Sequence, residues 1–457
     1  MMMQSFLQRI KQEAEKFKKS DYPVRVISHL DADGLSAAAI ITKALKRLNR
    51  KFTLTIVRQL SQNTLKQFKS ESYETFLFVD LGSGNIQDIK EAINSKNILI
   101  LDHHQPQEIE NSFVHLNPIL FGLDGNSDVS GAGLAYMFAK SLDEENRDLS
   151  TIALIGAIGD NQEKKGFSSI NSLILDDAKP FLEIATGLRM FGTQTKPLYK
   201  ILQYSTDPYI PGITGDEQAA IKFLQELKLD PEKKLIHLDK EEMKTLVTSI
   251  ILQRLGSEEN PEDVLGPIYL LKSEQEESPT KDLKEFATLL NSCGRLNKPS
   301  LGIAACLQNQ KLKPAAINVL NDYKKEIISS LKWFYNNKDK VIELENLVII
   351  NAEENIKDTL IGTLSSMIAK SNLYPENTII ISLAHSLDDK TKISIRCSGY
   401  RNNDINLKEM LDSVTSKIGC QAGGHRNAAG SLIPQEKEQE FIELAKSLAA
   451  FPTHKQI

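Results

Sequence analysis

The chain has 457 residues, of which 41% are hydrophobic and 25% are charged, and its formal net charge is −5. This composition is typical of a soluble globular protein, and the length suggests about three domains. It excludes a strongly basic nucleic-acid binder, so any nucleic acid must bind to a local basic groove.

The first 20 residues predict an amphipathic packing helix, because apolar residues recur at helical spacing at Phe6, Leu7, Ile10, Ala14 and Phe17. They lack the apolar core of a signal peptide, and no run of about 18 apolar residues predicts a membrane span. The four cysteines form no Cys-x-x-Cys pair, which argues against a zinc ribbon or a disulfide scaffold. We expect a cytoplasmic protein.

The segment 24–40 predicts a buried strand followed directly by a helix. His29, Asp31 and Asp33 alternate at the junction, so all three can point to one side of an extended segment. One carboxylate is explained by capping the helix, which is the simplest interpretation of an acid at this position. The cap leaves the other two side chains unexplained, and a metal site is the alternative.

Three further strands are predicted at 52–57, 75–82 and 97–104, with helical stretches between them. The alternation predicts a parallel sheet with helices on its faces. The third segment ends in an acidic residue, Asp80, before its glycine, and the fourth ends in Asp102, His103 and His104. Taken singly, each of these residues can be interpreted as part of a turn or a solvated loop. Together they bring acids and imidazoles to the edge that carries Asp31 and Asp33.

Asp160 follows an apolar, helix-like stretch at 149–159. An acid at a helix C-terminus is disfavoured by the helix dipole, and a bound cation would remove that conflict. We therefore add Asp160 to the cluster. The stretch 127–138 predicts a capped helix that packs closely through Gly131 and Gly133, and phosphate binding at its start is the less favoured alternative.

The character of the chain changes after Gly192. The segment Tyr204–Gly212 predicts a rigid, turn-rich connection, and amphipathic helices are predicted at 217–227 and 241–255. We interpret this region as a helical insertion with a structural or partner-binding role. Arg295 follows Gly294 and is either a basic helix end or a clamp for phosphate.

The last region predicts a helix through Trp333 and strands at 347–350, 378–382 and 392–398. Arg396 and Ser398 lie two apart, on one face of the last strand. Paired glycines let backbone N–H groups approach an anion closely. The candidate substrate-binding residues of the chain are Arg295, Arg396, Ser398, Gly423, Gly424, His425 and Arg426.

Four motifs resemble those of the DHH phosphoesterase superfamily: His-Leu-Asp-Ala-Asp-Gly (29–34), Val-Asp-Leu-Gly (79–82), Asp-His-His (102–104) and Gly-Asp (159–160). Gly-Gly-His-Arg-Asn-Ala-Ala-Gly (423–430) resembles the signature of the DHH-associated C-terminal domain. The segments 290–295 and 204–212 are similar to those of archaeal RecJ-like nucleases, including the type that associates with the GINS complex.

The resemblance implies an α/β fold in three parts. These are a DHH catalytic domain with a parallel sheet and flanking helices at 1–191, a mostly helical insertion at 192–312 and a smaller α/β DHH-associated, substrate-binding domain at 313–457.

The resemblance also implies a two-metal site, usually with Mn²⁺ and with Mg²⁺ as an alternative. By the family pattern His29 and Asp31 would bind one ion, Asp33, His103 and Asp160 the other, and Asp80 would bridge them. Asp102 would orient its histidine neighbour, and His104 would lie nearer the substrate. The catalytic set is then Asp31, Asp33, Asp80, His103, His104 and Asp160.

The implied activity is that of a single-strand-specific exonuclease on DNA, RNA or both, in DNA replication or repair. A first alternative is a phosphodiesterase of short oligonucleotides or cyclic dinucleotides. A second is a replisome protein that binds GINS or the replicative helicase. The sequence leaves the polarity of degradation and the oligomeric state open.

Overall fold

The computed structural model describes residues 2–450 apart from 94–95, 110–112, 165, 206–207, 259, 372, 388 and 400–404. The predicted connection Tyr204–Gly212 therefore lies partly outside the described residues. The chain divides into two compact units: Met1–Pro211 with Gln218–Leu320, and Gly212–Glu217 with Asn321–Ile457.

The strands of the first sheet are β1 (Val24–His29), β2 (Phe52–Val57), β3 (Thr75–Val79), β4 (Asn97–Leu101) and β5 (Val114–Leu116). They lie in the order β2-β1-β3-β4-β5, and every pairing between them is parallel. The helices that accompany them are α1 (Met2–Lys18), α2 (Ala32–Arg47), α3 (Gln62–Ser70), α4 (Ile86–Ile93), α5 (Gly131–Leu142), α6 (Ser150–Gly159) and α7 (Ser169–Ala178). The predicted parallel sheet with flanking helices is confirmed.

Both faces of this sheet are buried, because helices cover each of them. Side chains alternate along each strand and so point to one face or the other. In β3, Leu77 and Val79 pack in the core that contains α1, α2, α5 and α6. Phe76 and Phe78 point to the opposite face, where α3 and α4 cover them. Continuous apolar strands of this kind fit a layered α/β domain, and the amphipathic helix predicted for the first 20 residues is confirmed as α1.

The next part of the first unit is mostly helical, as predicted, but it also contains two strands. Its elements are β6 (Leu182–Leu188), α8 (Leu198–Gln203), α9 (Glu217–Glu226), α10 (Lys240–Arg254), β7 (Leu265–Leu271), α11 (Leu283–Arg295) and α12 (Pro299–Cys306). β6 and β7 pair antiparallel. Residues of α11 and α12, such as Leu290 and Cys306, belong to the core of the first sheet.

The second unit contains α13 (Lys313–Asn336), β8 (Val341–Leu344), β9 (Leu347–Asn351), α14 (Asp358–Ala369), β10 (Ile379–Ser386), β11 (Lys390–Cys397), α15 (Leu407–Thr415), β12 (Ala422–His425), β13 (Ala428–Pro434) and α16 (Glu438–Ala445); α13 begins before the boundary. The sheet order is β12-β13-β11-β10-β9-β8, and among these pairings β9 with β10 is parallel. Its core is separate from the two cores of the first sheet.

Among the described helices, none combines the length and apolar character needed to cross a membrane. All four cysteines are free thiols, so the fold contains no disulfide between them.

Candidate metal centre

Four segments of the first unit end close together. β1 ends at His29, β3 is followed by Asp80, and β4 is followed by Asp102. Because these strands are parallel neighbours, their carboxyl ends lie at the same edge of the sheet. α6 ends at Gly159, and Asp160 caps its C-terminus near this edge.

The junction between β1 and α2 differs from the extended segment that alternation predicted. Asp31 is the N-cap of α2 and accepts a hydrogen bond from Gly34 N at 3.0 Å. Its other oxygen lies 2.8 Å from His29 Nδ1. Asp33 lies in the first turn of α2, and it joins the cluster because the helix turns it inward.

Asp33 is fully buried and held by the start of α5. Gly131 N donates to Oδ2 at 2.6 Å, and Ala132 N donates to Oδ1 at 3.0 Å. A helix N-terminus attracts an anion, and here the anion is a carboxylate of the chain itself. Burial and the nearby Asp160 raise the pKa of Asp33 to about 6. Gly156 allows this approach, since a Cβ there would lie 2.4 Å from Asp33 Oδ1.

Asp80 lies at the centre of the cluster. Both of its carboxylate oxygens are buried and form no hydrogen bond within the described structure. His103 Nε2 lies 3.3 Å from Oδ1, and His29 Nδ1 lies 3.8 Å from Oδ2. Burial, together with Asp33 and Asp31, raises the pKa of Asp80 well above its usual range. A buried carboxylate in this state is costly unless a cation or proton accompanies it.

His103 presents one defined nitrogen to the cluster. Its Nδ1 lies 2.6 Å from Gly125 O, which can only accept, so Nδ1 carries the proton. Nε2 then faces Asp33 at 3.6 Å and Asp80 and Asp160 at 3.3 Å each. Burial alone would lower the pKa of His103, but the surrounding carboxylates raise it well above its usual value. In the neutral ring, Nε2 offers a lone pair where metal ligands are expected.

Asp102 supports the cluster without facing it. Its Oδ1 accepts from His104 Nδ1 at 2.7 Å, and its Oδ2 accepts from Ser83 N at 2.8 Å. Although burial opposes this, His104 lowers the pKa of Asp102. Ser83 Oγ in turn contacts His115 Nε2 and accepts from Asn117 Nδ2. Sequence reasoning missed these three supporting residues, because none carries a charge that marks it.

Three groups of side chains place their ligand atoms within 4.8 Å of one another. They are His29, Asp31 and Asp80; Asp33, His103 and Asp160; and Asp80, His103 and His104. The buried atoms that form no hydrogen bond in the described structure include His103 Nε2 and both oxygens of Asp80. His29 Nδ1 faces the carboxylate of Asp31. Divalent cations would satisfy these atoms, and imidazole with carboxylate suits Mn²⁺ or a similar ion. The residues therefore fit a divalent-metal site.

α11 packs directly on the β1–α2 junction. Asn291 Oδ1 accepts from Ala32 N at 3.0 Å and so supplements the cap of α2. A Cβ on Gly294 would lie 1.7 Å from Leu30 O, so the helix and the junction are in backbone contact. Arg295 is the last residue of α11. The sequence drew attention to the arginine, but the contact with the junction is made by Asn291 and Gly294.

Arg58 is a further cation that sequence reasoning missed. It directly follows β2, whose last residue pairs with His29, and its Nη2 donates to Asn297 Oδ1 at 3.0 Å. A basic residue directly after a strand of the same sheet was the available signal.

In the second unit, Arg396 lies on β11 and donates from Nε to Ser366 Oγ at 2.9 Å. Ser398 lies just beyond β11 rather than in it. It is buried, its Oγ accepts from Thr378 N at 2.8 Å, and it donates to Pro375 O. The Ser398 hydroxyl is therefore already used within the domain.

Gly423, Gly424 and His425 lie in β12, and Arg426 follows in an exposed turn to β13. Gly424 has φ of +114°, and a Cβ there would lie 2.5 Å from Ala428 O. This position requires glycine, since other residues rarely adopt such a conformation.

Three parts of the chain match family descriptions. Residues 23–159 match the DHH family, N-terminal domain; residues 190–265 match the DHH-CID domain; and residues 345–450 match the DHHA1 domain.

Two curated relatives cover 92% of this chain. An uncharacterised protein of Methanocaldococcus jannaschii is 31% identical over 433 residues, which cover 91% of its length. A protein of Bacillus subtilis named as a prophage-derived single-strand DNA-specific exonuclease, YorK, is 22% identical, and the match covers 64% of its length.

Two solved structures share the fold. RecJ from Thermus thermophilus in complex with Mn²⁺ matches with a TM-score of 0.60 and 16% identity, over 97% of this chain and 55% of that one. CDC45 from Entamoeba histolytica matches with a TM-score of 0.63 and 10% identity, over 98% of each chain. This chain thus spans about half the length of that RecJ.

Proposed function

Because this chain belongs to the DHH/DHHA1 phosphoesterase superfamily, we propose that it is a metal-dependent, single-strand-specific exonuclease that hydrolyses phosphodiester bonds of DNA, RNA or both. The observation that carries the proposal is the set of buried, unpartnered carboxylate and imidazole atoms at one edge of the first sheet. The similarity to a protein named as a single-strand DNA-specific exonuclease supports the choice of substrate.

We assign His29 and Asp31 to one divalent ion, Asp33, His103 and Asp160 to a second, and Asp80 to both. Mn²⁺ is the ion we favour, and Mg²⁺ is the alternative; a related structure contains Mn²⁺. When bound, two such ions would supply an activated water and would stabilise the oxygens of an in-line displacement at phosphorus.

The chain's own residues hold the ligands in place for that chemistry. The start of α5 fixes both oxygens of Asp33, and Gly125 O fixes the tautomer of His103. Asp102 holds Nδ1 of His104, whose side chain is 39% exposed and is the most accessible of the cluster. We assign to His104 the contact with the substrate phosphate.

Each unit, taken by itself, contains candidate donors for a phosphate: Arg295 belongs to the first unit and Arg396 to the second. An arginine can bind phosphate oxygens with two N–H groups. In Arg396, Nε and Nη1 already donate within the second unit, to Ser366, Ile395 and Ala429. The backbone N–H groups of Gly423 and Gly424, with His425 and Arg426, are further candidates. Ser398 is the weakest of the set, because its hydroxyl already bonds within its own domain. Binding to GINS or to the replicative helicase is a separate hypothesis, based on the resemblance alone.

The test uses single-stranded DNA and RNA of about 20 nucleotides, labelled at the 5′ or the 3′ end, with Mn²⁺ or with EDTA. Wild-type protein should release mononucleotides with Mn²⁺ only, and the label gives the direction. Asp80→Asn should lower the rate by roughly 10²- to 10³-fold, the loss typical of removing one electrostatic stabiliser. Asn tolerates the left-handed backbone of Asp80, with φ of 60°, so the fold should persist.

Asp322→Asn is the control, since it neutralises a carboxylate that is 64% exposed on α13; its activity should equal that of the wild type. Full activity in Asp80→Asn would contradict the metal assignment. Cleavage of dinucleotides without cleavage of longer strands would favour the short-oligonucleotide phosphodiesterase. No cleavage of any strand would favour the scaffold hypothesis.

A further inference from the structure

A groove of about 690 Å³ opens at the opposite edge of the first sheet from the metal centre. It lies at the amino ends of β1, β2 and β3, and its wall includes Tyr22, Arg50, Lys51, Phe52, Tyr73 and Glu74. A strand of six residues is roughly 20 Å long, which separates the groove from the metal ligands. Its volume lies within the range of about 300–1,000 Å³ found for small-ligand sites.

Arg50 is a buried cation without an anion. It is 9% exposed, and its guanidinium donates to Tyr22 O at 3.0 Å, Phe17 O at 2.7 Å and Ser20 Oγ at 3.1 Å. In the described part of the chain no carboxylate lies within ion-pair distance of it, and two of its five N–H groups have no acceptor. The Phe17 ring, whose centroid lies 4.2 Å from the guanidinium carbon, offsets part of the cost of burying this charge. An anion in the groove would offset more of it.

The other charges around the groove leave it positive. Lys51 is exposed next to Arg50, and no ion pair of Lys51 is present among the described residues. Glu74 also lines the groove, but Lys96 Nζ lies 3.3 Å from its Oε1 and balances its charge. Asp21 also acts electrostatically on Arg50, but it forms no ion pair with it.

Aromatic rings line the same groove. Tyr22 is 55% exposed, and Phe52 and Tyr73 are half-buried. The hydroxyl of Tyr73 is hydrogen-bonded to Thr53 Oγ1, which fixes the ring. Exposed aromatic rings beside unpaired cations are the combination that binds a nucleobase together with its phosphate.

We propose that this groove binds a nucleotide unit, with the base stacked on Tyr22 or Tyr73 and the phosphate at Arg50 and Lys51. The unit is either a free nucleotide or one residue of a single strand, since the recognising chemistry is the same. The groove contains no metal ligand, so binding there requires no divalent ion and does not depend on the proposed hydrolysis.

Two measurements on the full chain in EDTA test the proposal. The first is calorimetric titration with AMP. The second is photocrosslinking of a ten-residue thymidine oligonucleotide that carries 5-iodouracil, followed by identification of the crosslinked peptide. Tyr22→Ala should weaken AMP binding roughly fivefold to 150-fold, the range of one base–aromatic stack. Lys51→Glu should also weaken AMP binding, because it replaces an attraction with a repulsion. This loss of affinity should grow as the salt concentration is lowered.

The matched controls are Tyr335→Ala, which removes a ring that is 53% exposed on α13, and Lys417→Glu at an exposed lysine. Neither should change AMP binding, and all four variants should keep metal-dependent hydrolysis. Crosslinks to the peptide of Tyr22 or Tyr73 would identify a strand as the ligand. AMP binding without such crosslinks would identify a free nucleotide.

The proposal is overturned if AMP does not bind in EDTA and no crosslink maps to these peptides. It is also overturned if Tyr22→Ala and Lys51→Glu bind AMP as the wild type does. The binding test is done in EDTA, whereas the hydrolysis test requires Mn²⁺. The failure of the groove proposal can therefore be distinguished from the failure of the proposed nuclease function.

Discussion

At the residue scale, Asp33 shows how an apparent anion site can be filled by the chain itself. The start of α5 donates two backbone hydrogen bonds to this carboxylate. The sequence suggested close packing there, with phosphate as an alternative, and the structure shows a packed start occupied by Asp33. The Asp33 carboxylate therefore occupies the place at the start of α5 that a bound phosphate would take.

Glu285 is a second buried carboxylate, remote from the metal ligands. It accepts from Gln194 N at 3.0 Å and from Thr195 Oγ1, and it is 2% exposed. Burial, with Asp282 nearby, raises the pKa of Glu285 to about 7 from its ordinary 4.5, although Lys196 acts in the opposite direction. Between about pH 4.5 and 7, Glu285 therefore stays protonated in the folded protein and is ionised in the unfolded chain.

Glu285→Gln should change the pH dependence of stability. Between about pH 4.5 and 7 the folded wild type binds more protons than the unfolded chain, so its free energy of unfolding falls as pH rises. The fall is on the order of 3 kcal/mol, and the variant should lack it, since its amide can bond to the same two partners. Urea unfolding at pH 5 and pH 8, in EDTA, measures this difference; parallel pH profiles would contradict it.

At the element scale, the centre depends on the junction between β1 and α2. That junction is held from one side by α5, through Asp33, and from the other by α11, through Asn291 and Gly294. α11 comes about 260 residues later in the chain than α2, as the bond from Ala32 to Asn291 shows. The spacing of motifs along the chain therefore does not reveal which helix supports the ligands.

Gly294→Ala should disturb the centre without adding any charge. Its Cβ would lie 1.7 Å from Leu30 O, so α11 must move away from the junction. We expect a loss of about 1–3 kcal/mol in the free energy of unfolding, as for overpacking elsewhere, together with loss of Mn²⁺-dependent hydrolysis. Gly84→Ala is the control, because nothing lies within 4 Å of its Cβ. Equal stability and activity in the two variants would refute the contact.

At the scale of the whole molecule, the two units have separate cores. The cores of the first sheet contain β1 to β4, whereas the core of the second unit contains β9 to β11 and β13. The candidate metal ligands all belong to the first unit. The predicted division at residues 191 and 312 stays a prediction.

Mn²⁺ should therefore stabilise one unit only. A ligand at 100 times its dissociation constant adds about 2.7 kcal/mol to the stability of the state that binds it. Hydrogen exchange with and without Mn²⁺ should show slower exchange in α2, α5 and α6 and unchanged exchange in β9 to β11. Equal protection of both units, or protection in Asp80→Asn, would contradict this expectation.

The sequence by itself determined the first sheet and placed most of the candidate ligands at its edge. Short runs rich in apolar residues define β1 to β4, and parallel strands necessarily bring Asp31, Asp80 and Asp102 to one edge. These features follow from local periodicity, which a single chain displays directly. Three strands of the second unit, β9 to β11, were predicted from such apolar runs, whereas β8, β12 and β13 were not.

Only the tertiary structure decided how the ligands are held. The tautomer of His103, the two donors to Asp33 and the cap from Asn291 all depend on residues that are distant in the chain. The groove around Arg50 likewise combines segments near residues 22, 50 and 73. Contacts between such segments depend on packing, for which the order of residues along the chain carries no local signal.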